Sequence, residues 1–121
     1  MRWAFVIPAL ALLVQACGGS SGEVSCGAAS SQAEASVQSA VDGNITCSTD
    51  ADCTVVTFAA LCFDACTRVV NHTGVAAVNA AIAKVNAGPC ATFGSEGCQV
   101  EIPPCTPPQP ASCNAGKCTG G

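Results

Sequence analysis

Alanine and valine recur at intervals of three and four residues in two segments of the chain, a spacing that places them on one face of a helix. Residues 30–41 form the first segment, and Ser31 and Glu34 near its start have the spacing of a capping box. Residues 73–87 form the second segment. A glycine closely follows each one, as is typical of helix C-termini, so the pattern predicts two helices.

Shorter segments have the composition of β-strands. Residues 53–58 and 67–70 are rich in β-branched side chains, and residues 99–102 alternate polar and apolar positions as a half-buried strand does. Near the C-terminus an Asn-Ala-Gly turn joins two short flanks within residues 112–118, which predicts a hairpin. Together these elements predict a small, disulfide-rich α+β fold in which a short antiparallel sheet carries two helices.

The N-terminal segment has the pattern of an export signal. An apolar run over residues 4–14 is too short to cross about 30 Å of hydrocarbon as a helix. The run ends in Leu-Val-Gln-Ala-Cys, whose cysteine is Cys17, and this ending resembles a bacterial lipobox. The resemblance implies cleavage after Ala16, a diacylglyceryl thioether on Cys17 and acylation of the new amino terminus. Val14 and Ala16 also satisfy the small-residue rule of ordinary signal peptidase, which would release a soluble secreted protein.

Cysteine parity separates these two interpretations. The chain has 11 cysteines, an odd number, and an unpaired thiol is a liability in an oxidising compartment. If Cys17 carries lipid, ten cysteines remain and all of them can pair. We therefore expect residues 1–16 to be a lipoprotein signal peptide and residues 17–25 to be the lipidated cysteine with a flexible Gly/Ser-rich tether. Residues 26–121 are then the folded domain.

The ten remaining cysteines predict a disulfide scaffold, because such a density is typical of small exported domains with thin cores. Zinc sites favour C-x₂-C pairs, whereas the closest pair here, Cys62 and Cys66, is separated by three residues. We expect five disulfides, no free thiol in residues 26–121, no bound metal, and unfolding on reduction. Spacing leaves the pairing open. The predicted disulfide cysteines are Cys26, Cys47, Cys53, Cys62, Cys66, Cys90, Cys98, Cys105, Cys113 and Cys118.

Candidate catalytic groups are few. His72 is the single histidine, and no nucleophile motif accompanies it. Asp50, Asp52 and Asp64 lack the spacing of a calcium-binding loop, and the first two are expected in a turn that leads into a strand. The sequence therefore predicts a protein that is not an enzyme and uses no cofactor. The net charge of −4 argues against a nucleic-acid partner.

Two further segments allow both a structural and a functional interpretation. Residues 103–110 are rich in proline, and we expect a rigid connector stapled by its cysteine rather than a ligand for an aromatic groove. The apolar side chains of Phe58, Leu61 and Phe63 are expected in the core. The alternative is an exposed loop of a protease inhibitor, with Leu61 or Phe63 as the residue that enters the protease.

Two resemblances to known families follow. The segment Cys-Ser-Thr-Asp-Ala-Asp-Cys at residues 47–53 is similar to the C-x₂-D-x-D-C signature of whey-acidic-protein (four-disulfide-core) inhibitors, although the adjacent cysteine pair that follows in that family is missing. Over its whole length the chain resembles small cysteine-rich lipoproteins of myxobacteria. It shares the Ala-Cys-Gly-Gly-Ser ending of the lipobox, an Ala/Val-rich helix and a closing C-x₂-G-K-C hairpin at residues 113–118. This resemblance implies a location rather than an activity.

We therefore expect a non-enzymatic lipoprotein of the cell envelope, held to a bacterial membrane through lipid on Cys17. The outer membrane or cell surface is favoured over the inner membrane. The folded domain is expected to be a binding or structural module for a protein or small ligand, without a nucleic-acid partner. The alternative is an exported, disulfide-rich protease inhibitor.

Overall fold

The computed structural model describes residues 25–120, which form two helices, two antiparallel hairpins and one turn of 3-10 helix. The α+β class is confirmed, but the strands form two separate two-stranded sheets instead of one. Neither helix of residues 25–120 is long and apolar enough to span a membrane. The elements are α1 (Cys26–Asp42), the 3-10 turn (Asp50–Asp52), β1 (Cys53–Ala59), β2 (Asp64–Asn71), α2 (Gly74–Ala87), β3 (Ser112–Asn114) and β4 (Lys117–Thr119).

Helix α1 begins one turn earlier than its sequence pattern predicts. Ser25 is its N-cap, and the Ser25 hydroxyl accepts a hydrogen bond from the backbone N–H of Ala28 at 3.2 Å. The predicted capping box of Ser31 and Glu34 is wrong, because both residues lie inside the helix. The earlier start adds Ala29 to the buried face. The C-terminal end is as predicted.

Helix α2 has nearly its predicted bounds, and Asn71 fixes its start. The side-chain oxygen of Asn71 accepts hydrogen bonds from the Gly74 backbone N–H at 2.9 Å and from the Thr73 hydroxyl at 2.8 Å. A Cβ atom on Gly74 would lie 2.5 Å from Cβ of Asn44, so only glycine allows the chain before β1 to approach the helix this closely. This contact brings α2 against the turn that follows α1.

The core lies between the two helices and the β1–β2 hairpin. The valines of α1, β2 and α2 form its centre, together with the Cys62–Cys90 disulfide and two phenylalanines. Small alanines on α1 allow the helices to approach, and α1 packs against α2. We call this set the valine cluster. Its buried members are Ala29, Ala33, Val37, Val41, Cys62, Phe63, Val70, Val78, Val85, Cys90 and Phe93.

The C-terminal hairpin is confirmed where the Asn-Ala-Gly turn predicts it. Cys113 and Cys118 are direct cross-strand partners, and the turn residues Ala115 and Gly116 have φ values of 48° and 78°. Glycine adopts this left-handed conformation without cost, whereas alanine does so rarely. An isolated β-bridge between Thr46 and Lys117 and two disulfides, Cys47–Cys113 and Cys53–Cys118, join this hairpin to the rest of the molecule.

All ten cysteines of residues 25–120 form disulfides, which confirms five bridges and no free thiol in this part of the chain. Each bridge joins a cysteine of residues 26–66 to a cysteine of residues 90–118. The C-terminal part of the chain is therefore fastened to the N-terminal part at five points. The pairs are Cys26–Cys98, Cys47–Cys113, Cys53–Cys118, Cys62–Cys90 and Cys66–Cys105.

Candidate binding cleft

Residues 99–104, which we call the strap, cross the surface between two disulfides. Cys98 before the strap is bonded to Cys26 at the start of α1, and Cys105 after it is bonded to Cys66 on β2. The strand predicted over residues 99–102 is not formed. The strap has no turn or bend, and within the described part of the chain its backbone makes no hydrogen bond, because no neighbouring strand lies beside it.

A cleft of about 720 Å³ lies between the strap, the first half of α1 and the start of β2. Its volume is within the range of ligand-binding pockets in proteins, roughly 300–1,000 Å³. Phe63 and Phe93 contribute to its lining and are only 5% and 3% exposed, so they are fixed by packing in the valine cluster. The cleft therefore combines a lining that is fixed by core packing with one wall, the strap, whose backbone is unpaired within residues 25–120.

Three carboxylates line the cleft, and each comes from a different element. Glu34 lies on α1, Asp64 begins β2, and Glu101 belongs to the strap. Within residues 25–120, no lysine, arginine or histidine lines the cleft, and none of these three carboxylates forms a hydrogen bond or ion pair. The cleft therefore presents uncompensated negative charge, which favours a cationic ligand.

The strap also exposes apolar surface at the mouth of the cleft. Val100 is half-buried and packs against the valine cluster, whereas Ile102 is 78% exposed. Pro103 and Pro104 follow Ile102, line the same cleft and are exposed. An exposed isoleucine beside two prolines contributes apolar contact area to whatever occupies the cleft.

The 3-10 turn uses two of the predicted acidic residues for structure. One carboxylate oxygen of Asp52 accepts hydrogen bonds from the backbone N–H groups of Ser48 at 2.8 Å and Thr49 at 2.9 Å. These bonds favour the charged form and lower the pKa of Asp52. Asp50 accepts a hydrogen bond from the Cys113 backbone N–H at 2.7 Å and thereby joins the turn to β3. The turn predicted for these residues is confirmed, and Asp64 lies apart from them at the cleft.

His72 lies on the surface between β2 and α2. Its Nε2 atom is 2.9 Å from the carbonyl oxygen of Ala51, so the imidazole links this loop to the 3-10 turn. Among residues 25–120, one group of three potential metal ligands has its ligand atoms within 4.8 Å of one another. These are the sulfurs of Cys47, Cys53 and Cys118, and all three are in disulfides.

At the tip of the β1–β2 hairpin, the apolar side chains of Leu61 and Phe63 differ in burial. Phe63 is buried as predicted, but Leu61 is 59% exposed, so its predicted place in the core is wrong. The Leu61 backbone N–H donates a hydrogen bond to the side-chain oxygen of Asn86 at 2.8 Å, and the Cys62–Cys90 disulfide fixes the next residue. The hydrogen bond and the disulfide hold the tip with the Leu61 side chain exposed. Burial also excludes Phe63 as a residue that enters a protease.

The proline-rich run is stapled as predicted. Cys105 bonds it to β2, and its exposed residues connect the strap to β3. The run therefore connects the strap to β3, whereas the sequence predicts that it connects two strands. Cys17, the predicted site of lipidation, lies outside the described residues, as do residues 1–16 and the tether up to residue 24.

The cleft escapes sequence analysis because its parts are distant along the chain. Glu34 has the spacing of a helix cap, and Phe93 lies in a loop without a regular pattern. The one local signal is the pair Cys98 and Cys105, which brackets a short alternating segment. Comparison with protein-family models, with curated proteins and with solved structures found no match.

Proposed function

We propose that this chain is a non-enzymatic lipoprotein of the bacterial cell envelope, whose disulfide-linked domain binds a ligand in the cleft. The pairing of cysteines carries the proposal. Each of the ten cysteines after Cys17 is bonded to another of the ten, so Cys17 has no intramolecular partner left. Lipid on the Cys17 sulfur removes the single thiol that would otherwise be exposed to oxidation. The lipobox-like residues before Cys17 supply the processing signal.

The cleft lies close to the proposed anchor along the chain. Seven residues separate Cys17 from Ser25, which caps α1, and Cys26 and Gly27 at the start of α1 line the cleft. A Gly/Ser-rich tether of this length has a root-mean-square reach of roughly 15 Å. The domain would therefore stand just clear of the membrane surface, with the cleft beside its point of attachment. Three acyl chains at Cys17 make such attachment effectively permanent.

Processing of a Cys17→Ser variant tests this proposal. We expect the unchanged chain, expressed in a bacterium with lipoprotein-processing enzymes, to incorporate labelled palmitate and to be found in the outer-membrane fraction. Cys17→Ser should accumulate as uncleaved, unlabelled precursor, and globomycin should have the same effect on the unchanged chain. Ser21→Ala, a matched change in the tether, should be processed normally. Normal cleavage of Cys17→Ser would contradict the proposal.

The exposed tip of the first hairpin supports a second candidate function, an exported protease inhibitor with Leu61 as the residue that enters the protease. Leu61 is 59% exposed and is held between the Asn86 hydrogen bond and the Cys62–Cys90 disulfide. The oxidised chain should then inhibit a serine protease that prefers leucine, and Leu61→Arg should redirect inhibition to a protease that prefers arginine. Absence of inhibition at about 1 μM, the affinity expected of even a modest protein complex, would reject this candidate.

A further inference from the structure

The backbone of the strap is an unused hydrogen-bonding edge. Residues 99–102 have the alternating sequence of a strand but have no strand beside them, and their N–H and C=O groups are unpaired within the described part of the chain. Two disulfides hold both ends of the strap, so it stays in place without such bonds. An edge of this kind pairs readily with another extended chain.

The surroundings of this edge define which chain fits it. Glu34, Asp64 and Glu101 give the cleft three carboxylates, and no basic side chain of residues 25–120 lines it. The buried Phe63 and Phe93 also line the cleft, and Ile102 exposes apolar surface beside it. An extended peptide alternates its side chains between two faces, so one face can contact apolar surface while the other presents charge. Charge complementarity therefore favours a peptide with basic residues and excludes an acidic one.

Proline sets the length of the paired segment. Pro103 and Pro104 lack a backbone N–H, so they end any ladder that begins at Gln99. Up to four residues of the strap, 99–102, are available for pairing, and Ile102 at the last of these positions offers an exposed apolar side chain. A short segment of a partner is enough to fill such an edge.

From these observations we infer that the cleft binds an extended peptide segment that carries lysine or arginine, and that residues 99–102 pair with it as an added β-strand. The inference rests on the proposed function, because it names the ligand class of the proposed binding module. The bound peptide completes the strand that the sequence predicts over residues 99–102. Its cationic side chains lie against the three carboxylates.

Synthetic peptides test the inference on the full, oxidised chain. The probes are fluorescein-labelled nonapeptides in which valine alternates with lysine, glutamine or glutamate, and binding is followed by fluorescence anisotropy. The lysine peptide should bind about tenfold more tightly than the glutamine peptide, and added salt should weaken it. Two further lysine peptides are N-methylated at alternate residues, so that each has one of its two hydrogen-bonding edges blocked. The peptide whose blocked edge is the one that pairs with the strap should bind about tenfold more weakly.

A pair of charge-matched variants locates the site. Glu34→Gln combined with Glu101→Gln removes two carboxylates from the cleft, and we expect about fivefold weaker binding of the lysine peptide. Asp42→Asn combined with Glu96→Gln removes the same net charge elsewhere on the surface and should change the affinity by less than about twofold. Equal weakening by both variants would show attraction to overall charge alone and would overturn the inference.

Two other results would also overturn it: no preference for the lysine peptide, or unchanged binding by both N-methylated peptides. Failure of the peptide experiment and failure of the proposed function are distinguishable. Palmitate labelling and processing report on the anchor at Cys17 and do not depend on the cleft. Peptide binding to the cleft is measured on the purified chain whether or not it carries lipid.

Discussion

Residues 26–87, which supply most of the valine cluster, and the C-terminal part of the chain, residues 88–120, are stabilised in two different ways. In the valine cluster, Val37, Val70 and Val78 are at most 1% exposed and lie on three different elements. In residues 88–120 the buried residues are Cys90, Phe93 and Cys118, so Phe93 is the one buried side chain there without a disulfide. Apolar burial stabilises the first region, and cross-links stabilise the second.

The composition of each region explains the difference. Residues 26–87 contain the alanines and valines of two helices and a hairpin, which bury small apolar side chains against one another. Residues 88–120 are rich in glycine and proline, and the strap and proline-rich run are exposed over residues 101–110. Such a segment cannot offset its own loss of conformational entropy by burial. Five disulfides to residues 26–66 hold it in place and thereby create the cleft.

Reduction of the disulfides should have the largest effect. Each disulfide typically contributes about 2–4 kcal/mol by restricting the unfolded chain, and small domains have a total stability of about 5–15 kcal/mol. We expect the cooperative thermal transition of the oxidised chain, followed by circular dichroism, to disappear on full reduction. Alkylation without reductant should modify no cysteine of residues 26–121. An unchanged transition after reduction would show that apolar burial alone is sufficient.

A pair of variants, one in each region, tests whether the two are separately stabilised. Cys53→Ser combined with Cys118→Ser should cost about 2–4 kcal/mol, and amide hydrogen exchange should accelerate most in residues 112–119. Val78→Ala should cost about 2 kcal/mol, because it removes buried methyl groups and leaves a cavity. In this variant we expect exchange to accelerate most in residues 74–87.

Val55→Ala is the matched control for the core variant. Val55 is 36% exposed on β1, so the same change of side chain should have a much smaller effect on unfolding than Val78→Ala. If the cysteine variant and Val78→Ala accelerated exchange in the same residues to the same extent, the two regions would form one cooperative unit. The comparison between them would then be wrong.

Local sequence patterns predict one element in each region, but they do not predict the structure of the strap. Helix α2 follows from its stripe of apolar residues, since Val78 and Val85 recur at helical spacing and both are buried. The β3–β4 hairpin follows from a local turn sequence. The structure of the strap does not follow from its sequence. Alternation of polar and apolar side chains indicates an extended chain but does not reveal whether a second strand lies beside it.

The cleft is even less accessible to sequence reasoning. It requires Glu34, Asp64 and Glu101 to line the same cleft, and their relative positions depend on which cysteines pair. Ten cysteines allow many pairings, and spacing does not select among them. The early start of α1 does not follow from the sequence for a simpler reason. Ser25 and Ser31 are both suitable caps, and the weaker apolar pattern before residue 30 does not decide between them.

The smallest effect is expected from Asp52 in the 3-10 turn, which Asp50 joins to β3 of the region held by disulfides. Its carboxylate accepts two backbone hydrogen bonds, and its pKa is lowered in the folded chain. A lowered pKa gives stability that is present above the unfolded value, about 3.9, and is lost as the pH falls through the folded value. Asp52→Asn should therefore lower the thermal midpoint at neutral pH, and the difference from the unchanged chain should shrink on acidification below about pH 4. Asp42→Asn controls for the loss of one negative charge. A difference between Asp52→Asn and the unchanged chain that stays constant from neutral pH to about pH 2 would show that the charge of Asp52 does not stabilise the 3-10 turn.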